Sequence, residues 1–239
     1  MNQPSILELI SFGPDGWGKA LMAGAWMTIL VALSGYAIGA VIGTFGAWAK
    51  ISGGRRLRIA ADTYTTVLRG IPDLLVIYLF YFGGSAAVTA LGRLFGAEGF
   101  LGFPGFLAGS LAVGVTSGAQ FTEVFRGAFR AVHPGEIEAA IACGMGRILR
   151  FRRIVAPLTL RHALPGLGNV WQVVLKESAL VSITGVAELL RQTQVAAGST
   201  GLPFDFYVVA GAIYLIISTC SSLFLRRAEK HFSRGVRRG

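Results

Sequence analysis

The sequence predicts an all-α membrane protein of five transmembrane helices. Three observations carry that expectation. The chain is 53% hydrophobic and only 14% charged, against about 25% charged in a soluble domain. Its charge-free runs reach the roughly 20 residues that a bilayer-spanning helix needs. Its basic residues gather into three segments separated by pairs of spans, as the positive-inside bias requires.

The elements follow in order. Residues 20–49 form 30 positions without a charge, enough for one long tilted helix. The second span is expected over 57–84, with polar residues ahead of its apolar stretch. The third is expected over 103–125, inside the charge-free run 99–122. The fourth, 163–187, is interrupted only by Lys176 and Glu177. The fifth is 206–225, again without a charge. Residues 192–204 are uncharged but hold Gly, Ser and Pro, so they read as a loop or interfacial segment. The 33 glycines suit close helix approach in lipid.

Charge then orients the chain. Lys50, Arg55, Arg56 and Arg58 follow the first span; Arg126, Arg130, Arg147, Arg150, Arg152, Arg153 and Arg161 follow the third; Arg226, Arg227, Lys230, Arg234, Arg237 and Arg238 follow the fifth. The opposite side has Lys19, Arg93 and Arg191. Five spans place the three rich segments on one side, which the bias makes cytoplasmic. The expected organisation is a periplasmic N-terminal segment 1–19, a transmembrane domain 20–225 with a cytoplasmic loop 126–162, and a basic cytoplasmic tail 226–239. Residues 1–18 hold no Lys or Arg, so insertion is expected to use the first span rather than a cleaved leader. The net charge of +10 belongs to these loops and does not imply nucleic-acid binding.

The loop carries the densest polar pattern. His133-Pro134-Gly135-Glu136 opens it with a turn signal, and acids in a first helical turn suit the helix dipole. Ile137, Ala140, Ile141, Gly144, Met145 and Ile148 fall on one face of a helix. Pro157 is expected to end or bend it. Such a helix can lie on an anionic leaflet or dock on a cytosolic partner. The small residues Ala139, Ala140 and Gly144 favour docking, because they allow close backbone approach.

These residues also carry a resemblance. Glu138-Ala139-Ala140, then Gly144, Ile154 and Pro157, resemble the "EAA" cytoplasmic loop of bacterial ABC importer permeases, with Ala156 where that family usually has Leu. The stretches YTTVLRGIPDLLVIYLFYFG from Tyr64, FTEVFRGAFRAVHPGEIEAA from Phe121 and LPGLGNVWQVVLKESALVSITGVAEL from Leu164 look like polar amino acid permeases. The nearest subgroup handles histidine, lysine/arginine/ornithine, octopine or nopaline. The resemblance implies the transmembrane fold of type I ABC importers and a multi-pass place in a bacterial inner membrane. It also implies import of a polar, basic amino acid or opine by alternating access. It implies two ABC ATPase subunits that bind ATP and Mg, a periplasmic solute-binding protein, and a second permease chain. That second chain makes a heterodimer, with a homodimer as the alternative. This chain itself is expected to hold no cofactor.

Charged residues inside the spans are the other candidates. Arg69, Asp73, Lys176 and Glu177 each cost about 2.5–3.5 kcal/mol on insertion scales. Arg69 and Asp73 stand at i, i+4 and could pair on a helix kinked by Pro72. Either these charges hold helices or the dimer together, or some line a substrate pathway. For a cationic substrate the available acids are Asp73, Glu177 and Glu188.

The remaining signals point to architecture. Cys143 and Cys220 lack metal or disulfide spacing and read as buried thiols. His133, His162 and His231 read as surface or capping residues, the aromatics of residues 78–82 as lipid- or interface-facing, and Glu123–Arg126 as a local pair. The sequence has no GxxxxGK[ST] phosphate loop, HExxH or catalytic triad spacing, so a non-catalytic permease subunit is expected. An ion-gradient-driven secondary transporter and a non-transporting membrane anchor or assembly protein remain the alternatives.

Overall fold

The computed structural model describes residues 6–14 and 16–232. The tail arginines Arg234, Arg237 and Arg238, the first five residues of the N-terminal segment, and the side chain of His231 lie outside the described residues. Every regular element among the described residues is helical. In order these are α1 (Ile6–Leu9), α2 (Gly18–Ser52), α3 (Arg55–Gly70) and α4 (Asp73–Tyr78), which passes through a π-helical turn into α5 (Gly84–Leu94). Then come α6 (Gly105–Arg130), α7 (Pro134–Ala142), α8 (Arg147–Arg150), α9 (Ala156–Glu177), a 3₁₀ segment Ser178–Thr184, α10 (Leu189–Thr200) and α11 (Pro203–Phe232).

Among the described residues three stretches are long and apolar enough to cross a membrane: Gly18–Ser52, Asp73–Leu94 and Pro203–Lys230. Helices α6 and α9, with 26 and 22 residues, have the length at 1.5 Å per residue but carry charges.

Two local expectations are corrected. The helix expected over 57–84 is two helices. Ile71 is extended at φ −100° and ψ 138°, and Pro72 caps α4. Proline disfavours a helical residue before it, so the helix stops instead of kinking. Arg69 and Asp73 therefore do not share a helix, and no i, i+4 pair forms between them. Residues 192–204, read as a loop or interfacial segment, are largely helical, in α10 and the start of α11, so the loop alternative is the one overturned. The cap at Glu188 and the left-handed Gly201, at φ +72°, delimit a helix where composition alone signalled irregular chain.

The chain forms two compact units. One comprises the chain up to Gly35, Pro72–Val113 and Val173–Cys220. Its apolar core joins Leu21, Ala25, Leu189, Ala196, Ala197, Phe206 and Ala210. Glycine lets backbones cross closely here: a Cβ on Gly109 would stand 2.2 Å from Val181 Cγ1, an overlap that only a missing side chain avoids.

The other unit comprises Tyr36–Ile71, Gly114–Gln172 and the chain from Ser221 onward. Gly43 meets Phe121 in the same manner, with a Cβ placed 2.2 Å from that of Phe121. Tyr36 stands edge-on to Phe121 and Trp171, with centroids 4.8 and 5.5 Å away, and its hydroxyl donates to the Leu167 carbonyl at 3.1 Å. Lys50, only 7% exposed, donates to Thr65 Oγ1 at 2.6 Å and Glu123 Oε1 at 2.7 Å and forms an ion pair with Asp62 Oδ1 at 2.8 Å. Glu123 also pairs with Arg126, as the i, i+3 spacing predicts.

Candidate functional sites: a broken helical segment and an acidic pair

The polar segment is built locally. His133 is extended and its Nδ1 accepts the Gly135 N–H at 3.1 Å, capping α7, with Pro134 in the first turn. Proline suits that position because the first amides of a helix have no partner to lose. Glu136 lies in the first turn, where the dipole favours it.

The continuous helix expected across Gly144 does not form. The Gly144 N–H donates to the Ile141 carbonyl at 2.8 Å and the Met145 N–H to the Ala140 carbonyl at 3.0 Å, and Gly144 has φ +75°. This is the double closure of a Schellman motif, which needs a left-handed residue and favours glycine. The apolar spacing from Ile137 to Ile148 therefore spans two helices in different directions. Gly144 owes its identity to backbone conformation, since a Cβ there meets nothing within 4 Å in the chain.

After Gly146 the helix restarts as α8 and continues through a π-helical turn, Phe151–Val155, into α9. Pro157, expected to end or bend the segment, sits inside the helical run. The π turn widens the ladder just where proline lacks an N–H and crowds the preceding carbonyl.

Exposure divides the motif residues. Glu138, Ala139, Gly144 and Pro157 are exposed, Ile154 is half-buried, and Ala140 is buried at 4%. Ala140 packs inside the chain and does not face outward with Ala139. Beside the exposed members lie Ile141, Ile148, Leu149 and Phe151, with Ile148 78% exposed. Cys143 is exposed here and Cys220 is exposed on α11, so neither is the buried thiol expected. Both stand at positions whose neighbours in this chain leave them uncovered. His162 is exposed as expected. Within residues 78–82, Tyr78, Leu79 and Phe82 are exposed.

The intramembrane candidates separate as clearly. Asp73, at the start of α4, and Glu177, at the end of α9, are distant in sequence but face one another. Glu177 is buried at 9%, and its Oε2 has no hydrogen-bond partner. Lys176 is exposed, consistent with adjacent helical residues pointing about 100° apart. Arg69 is exposed at the end of α3. Glu188 is 0% exposed. Its carboxylate accepts from the Leu190 and Arg191 amides at 2.9 and 2.7 Å, and from Thr28 and Tyr214 hydroxyls at 3.3 and 3.2 Å. It caps α10 and ties that helix to α2 and α11. Its acceptors are spent on structure, so the acidic site reduces to Asp73 and Glu177. Lys50, Asp62, Thr28 and Tyr214 were not singled out by sequence. Only Lys50 had a local signal, as the first charge after a long apolar run.

Residues 35–238 match the family described as binding-protein-dependent transport system inner membrane component. The chain belongs to this family. It is a multi-pass inner-membrane permease subunit of an ABC transport system, which works with an ATPase and a binding protein. The octopine transport system permease protein OccQ of Rhizobium meliloti is 55% identical over 98% of each chain. The nopaline permease protein NocQ of Agrobacterium fabrum is 47% identical over 97% of this chain and 98% of its own. The histidine/lysine/arginine/ornithine permease protein HisQ of Escherichia coli is 41% identical over 93% of this chain and 97% of its own. Among solved structures, an amino acid ABC transporter with histidines matches at TM-score 0.76 and 32% identity, covering 90% of this chain and 95% of that one. The MetNI methionine transporter matches at TM-score 0.73 and 17% identity over 90% of this chain and 97% of that one, which shares the fold. The family's permease fold thus has the all-helical, type I importer form expected from the EAA resemblance.

Proposed function

We propose that this permease passes a basic amino acid or an opine inward across the membrane, with Asp73 and Glu177 receiving the substrate's cationic group. The observation that carries the reading is the buried Glu177 Oε2 without a partner beside a second carboxyl. A buried polar atom left without a hydrogen bond is costly, and an ammonium or guanidinium arriving at the two carboxyls supplies one. The names of the OccQ, NocQ and HisQ relatives, which cover octopine, nopaline and basic amino acids, support the same class.

The chain is a non-catalytic subunit. It crosses the membrane five times, with α6 and α9 completing the set, its N-terminus periplasmic and its C-terminus cytoplasmic. It pairs with a second, different permease chain and two ATPase subunits, which bind ATP and Mg. The exposed side chains around Gly144 dock in a groove of one ATPase. Closure of the ATPases on ATP carries that segment, and the helices continuous with it tilt the pathway from inward- to outward-facing. ATP drives the change because it binds the closed state better.

Proteoliposomes holding the complete transporter test the acidic pair. Asp73→Asn with Glu177→Gln is expected to cut uptake of a basic substrate at least about tenfold, on the order of one lost charge-assisted contact. ATPase activity stimulated by the loaded binding protein should persist. Unchanged uptake affinity and rate would exclude the pair as the substrate's counter-charge. Uptake that follows the membrane potential and ignores ATP would restore the secondary-transporter reading.

A further inference from the structure

Beside the Lys50 network lies a cavity of about 270 Å³ lined by Lys50, Arg58, Asp62, Glu123, Arg126 and Arg130. Within it, Lys50 and Arg126 are matched by Asp62 and Glu123 through short ion pairs. Lys50 is held inward by its hydrogen bonds to Thr65 and Glu123 and its ion pair with Asp62. Arg58 and Arg130 remain. Both are exposed and enter no ion pair among the described residues. The cavity therefore has a neutral, rigid floor and two unmatched guanidiniums on its wall. Lys50 is the first charge after the 30-residue apolar run 20–49, so the cavity stands where hydrocarbon gives way to headgroups. Arginine's planar fork fits phosphate oxygens in pairs, and basic pockets between membrane helices take anionic headgroups.

We infer that this cavity is a binding site for the phosphate of an anionic phospholipid, held by Arg58 and Arg130 over the Lys50–Asp62–Glu123–Arg126 floor. The site shares no residue with the acidic pair or the Gly144 segment. It makes one lipid a wedge among α2, α3 and α6 at the membrane edge.

The test counts lipids bound to the purified full-length chain by native mass spectrometry, using phosphatidylglycerol, phosphatidylcholine and inorganic phosphate as probes. Each arginine near a membrane surface is worth about fivefold in affinity for an anionic lipid. Arg58→Gln with Arg130→Gln is thus expected to weaken phosphatidylglycerol binding about 25-fold. Arg55→Gln with Arg56→Gln, which removes two exposed charges nearby in sequence but outside the cavity, should leave it within about twofold, the size expected for screened surface charge. The floor ion pairs are untouched in both, so melting temperatures should match. If the glutamine pair does not fold, Arg58→Gln and Arg130→Gln taken singly are each expected to weaken phosphatidylglycerol binding about fivefold. Unchanged binding in both single variants overturns the proposal. Equal losses in the two glutamine pairs overturn it in favour of diffuse attraction. Displacement of phosphatidylglycerol by millimolar inorganic phosphate assigns the cavity to free phosphate and overturns the lipid.

Discussion

Helices α7 and α10 begin and end with the same devices and serve opposite ends. Each starts on a side-chain cap and closes on a left-handed glycine. At α10 the cap is Glu188, sealed from solvent and engaged by two amides and two hydroxyls from α2 and α11. At α7 the cap is His133, exposed and holding one amide. Its closing Gly144 has open space around it, while that segment shows Ile148, Leu149 and Phe151 to the outside. The same capping devices are sealed in by the chain at α10 and left bare at α7, where the proposed docking surface lies.

The contrast can be broken by substitution. Glu188→Ala should have the largest effect on folding. It strands buried amides and hydroxyls together, and a loss of about 3 kcal/mol is expected, read as denaturant midpoint in detergent. Glu188→Gln keeps an acceptor and should recover a large part of it. No loss from alanine would mean the cap is not structural.

Next comes Gly144. Gly144→Trp should abolish ATP-coupled uptake or co-purification with the ATPase while leaving the isolated chain folded, since an added Cβ meets nothing within 4 Å in the chain and the left-handed φ costs only about 1–2 kcal/mol. Normal uptake by that variant would remove docking from this segment. Gly144→Ala sharpens the point. The left-handed φ alone costs about 1–2 kcal/mol for a residue with a Cβ, so the alanine variant separates loss of the turn from obstruction of the partner. His133→Ala should be the smallest change, about 0.5–1 kcal/mol, because the lost acceptor is exposed and water replaces it. A drop as large as that from Glu188→Ala would erase the distinction between the two caps.

Much of the fold was legible before any coordinates. Long charge-free runs marked α2 and α11 because helix length and hydrocarbon thickness are tied by the rise per residue. The capped start at His133-Pro134 and the motif through Pro157 were legible because caps and turns are short-range. The break at Gly144 was not, since apolar spacing on both sides continued the helical period and concealed a change of direction. Arg69 and Asp73 were misjudged for a related reason: an i, i+4 count presumes the helix that Pro72 ends.

The acids show the limit most directly. By sequence, Asp73, Glu177 and Glu188 were equivalent carboxylates in apolar surroundings. Thr28, 160 residues from Glu188, helps to make Glu188 a cap, and Asp73 makes Glu177 one half of a pair. A helical membrane protein with a polar EAA segment is legible from local pattern, because burial in lipid and helix capping act over a turn or a span. Which charges are spent on structure is settled by packing. That depends on partners brought together from distant parts of the chain, and no local period encodes them.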